Sequence, residues 1–229
     1  MQGIIYKFLY FVFATVWGYK VMGGEDYMPK LLGGWGEGNY KLALENMDYH
    51  PPTKGFKDYC IITMGYHIGS LIMHFTSPRK SDFIDMTLHH MLALYLYGGC
   101  YLCNVWKCGG VIMLLHDIAD VTGNFVKGAG ESKYKNFAGV TFVLHMIVWA
   151  YTRMFVLPIL IYQIYKYADP LGDSPLVNPK HIFCYLLTCM VLLHTFWFKI
   201  FCSMIYKFAS EGVAEDTQSI QNKKTTKVE

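Results

Sequence analysis

Residues 82–127 read DFIDMTLHHMLALYLYGGCYLCNVWKCGGVIMLLHDIADVTGNFVK. Two apolar runs, 83–103 and 109–126, are separated by a short connection, and each carries ionisable groups: His89 and His90 in the first, His116, Asp117 and Asp120 in the second. Runs of about 20 apolar residues match the hydrocarbon thickness of a bilayer, where a helix is favoured because it satisfies its own backbone hydrogen bonds. Two helices joined so closely must pack antiparallel. Residues four apart share a helix face, so His116 lies over Asp120 with Asp117 close by. The two polar groups therefore face each other at similar depth.

Four further runs, 4–22, 57–75, 137–165 and 181–208, have the same apolar character. The chain is predicted to be an all-α polytopic membrane protein with six transmembrane helices and both termini on one side. Composition agrees: 53% of the 229 residues are apolar, 17% are aromatic and only 16% are charged, against roughly 25% charged in a typical soluble domain. An ordinary globular domain, a disordered chain and a coiled coil are thereby excluded. A net charge of +3, from 20 basic and 17 acidic residues with no dense basic block, gives no reason to expect a nucleic-acid partner.

Three parts follow: an anchor helix and connecting stretch over 1–56, a transmembrane core over 57–208 and a polar C-terminal tail over 209–229 that has nothing to bury. The first span has almost no basic leader and no small-residue cleavage site, so it reads as a retained anchor. In the connecting stretch Gly33, Gly34, Gly36, Gly38, Pro51 and Pro52 predict a loop, with one short interfacial helix over 39–47. Pro158 removes a helix hydrogen bond and is expected to kink or tilt the fifth span. Arg79, Lys80, Lys127, Lys133 and Lys135 gather near the membrane on the side of the termini, which places that side inside.

Ionisable groups at membrane depth are costly and mark functional candidates. A carboxylate beside an imidazole raises its basicity and fixes its tautomer, giving a general base or a nucleophile; the arrangement suits acyl transfer or metal binding. The plainer reading is a polar network that pins two helices together. Cys100 and Cys103 form a Cys-x-x-Cys, but no second pair follows at suitable spacing and the repeated His-x-x-His pairs of di-iron enzymes do not occur, so no metal is assigned. The seven cysteines read as reduced packing residues. His67 and His74, and the single His145 and His194, read as histidines facing neighbouring helices, and Arg153 as a partner for a carboxylate or for lipid headgroups.

The stretch from Asp82 also resembles the Lag motif of the TLC-domain (TRAM/Lag/CLN) family, which includes the ceramide synthases. The pattern is met without a gap at His89, His90, Tyr101, Asn104, Gly109, His116, Asp117, Asp120 and Lys127. Likeness continues through Thr152 to Pro158 and Leu192 to Trp197, and covers roughly residues 60–208. The resemblance implies a helical barrel around a long cavity and transfer of a fatty acyl group from acyl-CoA to a sphingoid-base amine, with no metal or redox cofactor. It implies catalytic roles for His89 or His90, His116, Asp117 and Asp120, and substrate-binding roles for Tyr101, Asn104 and Arg153. Membrane lipids would be its surroundings and the endoplasmic reticulum its home.

The chain departs from the pattern at Gly123-Asn124, where Leu-Glu is usual, at Ala93, where Ser or Thr is common, and at 215–219, where an acidic stretch is reduced. The lost carboxylate at Asn124, with the polar tail and the short N-terminal part, motivates the alternative reading: a catalytically silent lipid-binding or structural subunit that works with other subunits of a larger membrane complex, such as one of the mitochondrial inner membrane.

Overall fold

The computed structural model describes residues 2–45, 55–131, 134–168 and 179–211. Regular structure among them is helical and includes no strand: α1 (Gln2–Met22), α2 (Phe56–Thr76), α3 (Phe83–Leu102), α4 (Trp106–Gly130), α5 (Lys135–Trp149), α6 (Leu157–Tyr167) and α7 (Pro179–Glu211). A seven-residue π-helical stretch, Ala150–Val156, joins α5 to α6, so the described residues form six rods whose bounds follow the six apolar runs within a few residues.

Three of the rods, Gly3–Met22, Asn136–Tyr167 and Lys180–Phe208, are long and apolar enough to cross a membrane by length and composition alone. The other three, α2, α3 and α4, have 21, 20 and 25 residues, which at 1.5 Å per residue is about 30 Å or more. Their apolar character is diluted by polar groups turned inward, among them Thr63, His67, His90, His116, Asp117 and Asn124, all buried. The fold is that of a polytopic membrane protein with its polar residues gathered inside.

At the centre stands α4, packed against α1, α2, α3, α5 and the π-helical stretch, while α3 and α6 both pack on α7 to close the ring. Two glycines permit this. A Cβ on Gly109 would sit 2.6 Å from Cys100 Sγ, and one on Gly110 would sit 2.5 Å from the Phe56 ring, so α3 and α2 approach α4 closer than any larger residue would allow. The short α3–α4 turn depends on Asn104, which adopts a left-handed backbone (φ 56°) that Asn tolerates better than most residues. Val105 N–H then reaches back to Cys100 O at 3.0 Å.

One feature adds to the sequence reading and another corrects it. Before Pro158, expected to kink or tilt the fifth rod, the helix opens into a widened turn in which Leu157 N–H bonds Thr152 O, five residues back; proline lacks an N–H and crowds the carbonyl four residues before it, and the preceding turn expands in response. The interfacial helix predicted over 39–47 is a short 3₁₀ turn, Tyr40–Ala43, and residues 46–54 lie outside the described ones. Tyr40, Ala43 and Leu44 are buried in the main core with Tyr27, Met28 and Leu32 because α4 and the second half of the fifth rod, from Tyr151 onward, offer partners. Tyr40 Oη donates to Cys108 Sγ at 3.1 Å and Tyr151 Oη to Leu31 O at 2.7 Å. The stretch 23–45 is thus a folded cap continuous with the helical core. The tail beyond residue 211 lies outside the described residues.

The glycine contacts make a stability prediction. Gly110→Val overpacks the α2–α4 contact, at a cost of about 1–3 kcal/mol, and its melting midpoint in detergent, followed by tryptophan fluorescence, should fall below that of the parent. Gly65→Ala, where nothing lies within 4 Å of the added Cβ, should leave the midpoint unchanged or slightly higher because alanine favours the helix.

Candidate active site

A cavity of about 770 Å³, counting the space where it opens, runs between α3, α4, α6 and α7. Its walls over most of their length are apolar: Ala93, Leu96, Cys100, Ile112, Phe183 and Leu187 are typical. His67, Tyr97, His89, His116 and Asp120 also line it, and Lys180 lies toward the end beside the α3–α4 turn. Along α3, His89 and Cys100 are separated by about 16 Å of helix rise, so the cavity is a channel with Lys180 toward one end and imidazoles and Asp120 toward the other. Antiparallel α3 and α4 place His89 opposite His116 and Asp120 there, the juxtaposition that the spacing of the two motifs predicts.

His89 and His90 diverge because successive helical residues point about 100° apart. His89 faces the channel and α7, with Nδ1 3.2 Å from Met190 Sδ and its ring edge-on to Trp197 at 5.3 Å. His90 is not among the channel-lining residues; its ring lies 5.7 Å from that of His74 on α2. His74 in turn is held by Phe83 O and Thr87 Oγ1, at 3.1 and 2.9 Å. Of the pair, His89 is the one the channel reaches.

His116 and its two aspartates also separate. His116 Nδ1 bonds Ile112 O at 2.7 Å; since a carbonyl only accepts, Nδ1 carries the proton and Nε2 keeps its lone pair. Asp120 lines the channel with its side chain 27% exposed, and its Oδ1 accepts from Arg153 Nη2 at 2.8 Å. Asp117 is wholly buried on another face, where Tyr59 Oη donates to its Oδ2 at 2.8 Å. It joins α4 to α2 and does not line the channel.

Arg153 ties the polar end together. Fully buried at 1% exposure, it donates from Nη1 to His194 Nε2 (2.8 Å) and from Nη2 to Asp120 Oδ1 (2.8 Å) and His116 O (3.2 Å), and it lies over the Trp149 ring at 4.6 Å. The π-helical stretch carries it into this position. The expected carboxylate partner is Asp120. Tyr101 and Asn104, also candidates for substrate contact, sit at the α3–α4 turn outside the channel lining, where Tyr101 packs edge-on against Trp106 at 4.9 Å. Lys127, at the end of α4, lies about 10 Å of helix rise beyond Asp120.

Three channel residues carry no role in the sequence reading: Tyr97, whose hydroxyl lies 3.2 Å from His67 Nε2, His67 itself, and Met190. His194 is a fourth participant, with its ring 5.3 Å from that of His116 and 6.1 Å from that of His89. No spacing rule ties α7 to α3 and α4 across a hundred residues; the likeness at Leu192 to Trp197 was the available signal. Around this end His67 Nδ1, His90 Nδ1, His116 Nε2, Asp117 Oδ1, Arg153 Nε and His194 Nδ1 are buried without a hydrogen-bond partner in the protein. Buried polar atoms are rarely left so; of these six residues, His67 and His116 line the channel, while His90, Asp117, Arg153 and His194 lie outside its lining. Among the described residues no three His, Cys, Asp or Glu side chains are placed to hold a metal ion.

Comparison with known proteins gives a consistent picture. The profile of the TLC domain matches residues 3–203, farther toward the N-terminus than the sequence likeness alone extends. Ceramide synthase 4 of Mus musculus is 23% identical over 93% of this chain and 52% of its own length, and ceramide synthase hyl-1 of Caenorhabditis elegans 25% identical over 93% and 59%. Ceramide synthase LOH1 of Arabidopsis thaliana is 28% identical over 93% of this chain and 72% of its own length. The chain spans about half the length of the first two of these relatives.

Coupling at the polar end is measurable. Breaking a buried ion pair from one side costs about 3–5 kcal/mol, so Arg153→Met and Asp120→Asn should each lower detergent stability substantially. The double variant should lose at least about 1 kcal/mol less than the sum of the two singles, the mark of residues in direct contact. A strictly additive cycle would remove the pair from the account.

Proposed function

The chain belongs to the TLC domain family, and from that premise we propose that it is a membrane N-acyltransferase of the ceramide synthase kind, moving a fatty acyl group from acyl-CoA to a sphingoid-base amine. The observation that carries this reading is the apolar channel that ends on His89, His116 and Asp120. A fatty chain is accommodated by the apolar walls, which offer it the same free-energy gain as a hydrocarbon phase. Its thioester then lies at the polar end, where the amine must also arrive. The enzyme is an integral membrane protein, and this reading gives it the endoplasmic reticulum as its compartment.

Each group has a definite task. Met190 Sδ can only accept, so the contact to it leaves the proton of His89 on Nδ1 and a lone pair on Nε2; His116 is in the same tautomer by its bond to Ile112 O. Both imidazoles thus offer a basic nitrogen, and neither needs to lose a proton first. Asp120 has one oxygen committed to Arg153, and its other oxygen is suited to pair with the incoming ammonium. The ammonium gives up one proton to base and solvent. The neutral amine then adds to the thioester carbonyl carbon while an imidazole takes its second proton; collapse breaks the carbon–sulfur bond, and the leaving thiolate takes that proton as CoA-SH. Amide, thiol and one released proton balance the reaction. His89, with its Nε2 lone pair, is placed either to remove the amine proton or to hold the acyl group between two such steps. Arg153 and Asp117 serve as positioning residues, and no cofactor beyond the acyl-CoA co-substrate enters.

Amide formation from long-chain acyl-CoA and a sphingoid base, assayed on purified protein in mild detergent, tests the assignment and separates the two adjacent histidines. His89→Ala and His116→Ala should each reduce kcat by about 10²-fold or more, as removal of a general base does. His90→Ala should keep measurable turnover while lowering the melting midpoint. Full activity in His89→Ala would place the chemistry elsewhere.

A further inference from the structure

His194 has a wholly buried imidazole, flanked by the two channel-lining histidines: 5.3 Å from the His116 ring and 6.1 Å from the His89 ring, centre to centre. Its backbone is fixed by Trp149 Nε1–H, which donates to His194 O at 3.3 Å, and its ring by Arg153 Nη1, which donates to Nε2 at 2.8 Å. A guanidinium has no acceptor and stays protonated, so Nε2 must hold the lone pair and the single proton of the neutral ring must sit on Nδ1. That Nδ1–H is buried with no partner in the protein. Three histidines therefore stand together in complementary states: His89 and His116 line the channel and each present a bare nitrogen, and His194, packed directly behind them outside the lining, carries a fixed hydrogen-bond donor.

On the acyl-transfer reading above, the three states match the needs of one reaction. Attack on a thioester moves the carbonyl π pair onto oxygen, and that oxyanion needs a donor already in place. The bases cannot supply it, because they must accept protons at the same moment. We infer that His194, through Nδ1–H, is a further catalytic residue that donates a hydrogen bond to the acyl carbonyl oxygen and to the oxyanion formed from it. Arg153 acts behind it as a positioning residue that locks the tautomer. No proton leaves His194: the carbonyl pair goes to oxygen on attack and returns when the carbon–sulfur bond breaks. The buried, low-polarity site strengthens such a bond relative to water.

Two amides separate this role from a structural one. An Asn side chain at 194 places an N–H near where His carries Nδ1, whereas a Gln places a carbonyl near where His carries Nε2. If the donor matters, His194→Ala should lower kcat by about 10²–10³-fold, the usual effect of losing an oxyanion donor, with KM for acyl-CoA changed only a few-fold. His194→Asn should recover much of that loss and His194→Gln little. If His194 only anchors Arg153, Gln should be the variant that rescues, and that result would overturn the inference.

A second arm avoids dependence on turnover. A long-chain methylene ketone analogue of acyl-CoA, ¹³C-labelled at the carbonyl, should show in difference infrared spectra a carbonyl band shifted to lower frequency on wild-type protein and on His194→Asn, but not on His194→Ala. Melting midpoints of the variants establish that each is folded. Should wild-type protein form no amide yet shift the ketone band in a His194-dependent way, the acyl-transfer reading fails and the donor stands. Should wild type form amide and the band and kcat be indifferent to His194, the donor fails and the reading stands; failure in both removes both.

Discussion

A single buried cation organises this molecule. Placing a guanidinium at membrane depth is costly by any scale, and it is tolerated only where fixed acceptors replace the lost water. Arg153 recruits them from three directions: the Asp120 carboxylate and the His116 carbonyl on α4, the His194 ring on α7, and the Trp149 face one turn back on its own rod. The donors of a guanidinium lie in one plane at fixed angles, so satisfying them fixes the relative rotation of α4 and α7 about the channel. The widened turn before Pro158 delivers the side chain at that point. In a regular α-helix the same residue would face another direction, and the three acceptors would have to be found elsewhere.

The same constraint explains how much could be read from the sequence. The six rods were legible because bilayer thickness sets a minimum apolar length, and the meeting of His89 with His116 and Asp120 was legible because the histidine pair and the i, i+4 pair lie on two helices joined by a turn too short to let them part. The choice between His89 and His90 was not legible: neighbours on one helix differ only in which partner helix they face, and that depends on Met190 and Trp197 on α7 and His74 on α2. Asp117 and Asp120 divide in the same way, one toward Tyr59 and the other toward Arg153. The cap over 23–45 was hidden for a related reason. Its glycines signal turns, but burial of Tyr40 and Leu44 is decided by α4 and the fifth rod, far away in sequence.

Segregation of the channel into an apolar length and a polar end has a chemical consequence. Burying a chain of methylene groups is favourable anywhere in the membrane and gives little advantage over leaving it among lipid tails, so the channel confers position more than affinity. Position is what the polar end would need on the acyl-transfer proposal, in which a thioester held within reach of two imidazoles would react as part of one unit in place of a rare encounter. The polar groups there keep their orientations through contacts within the protein, His116 to Ile112 O, His89 to Met190 Sδ and Asp120 to Arg153, and so are set in advance.

Departures from the family pattern acquire different weights once placed in this frame. Asn124, standing where a carboxylate is usual, is buried with its Nδ2 turned to Asp120 O of its own helix at 2.8 Å; its change leaves the channel lining untouched and spares the helix bundle an extra buried charge. Ala93 is different. It lines the channel one helical turn from His89, where a hydroxyl is common, so this wall offers methyl surface beside the imidazole. With a methyl group there, hydrogen bonding at this point of the channel is left to the imidazoles and Asp120. The two substitutions together leave the charge balance of the polar end to Arg153 and Asp120 and its donors to the histidines. That is an economical arrangement in a medium where every additional polar atom must find a partner.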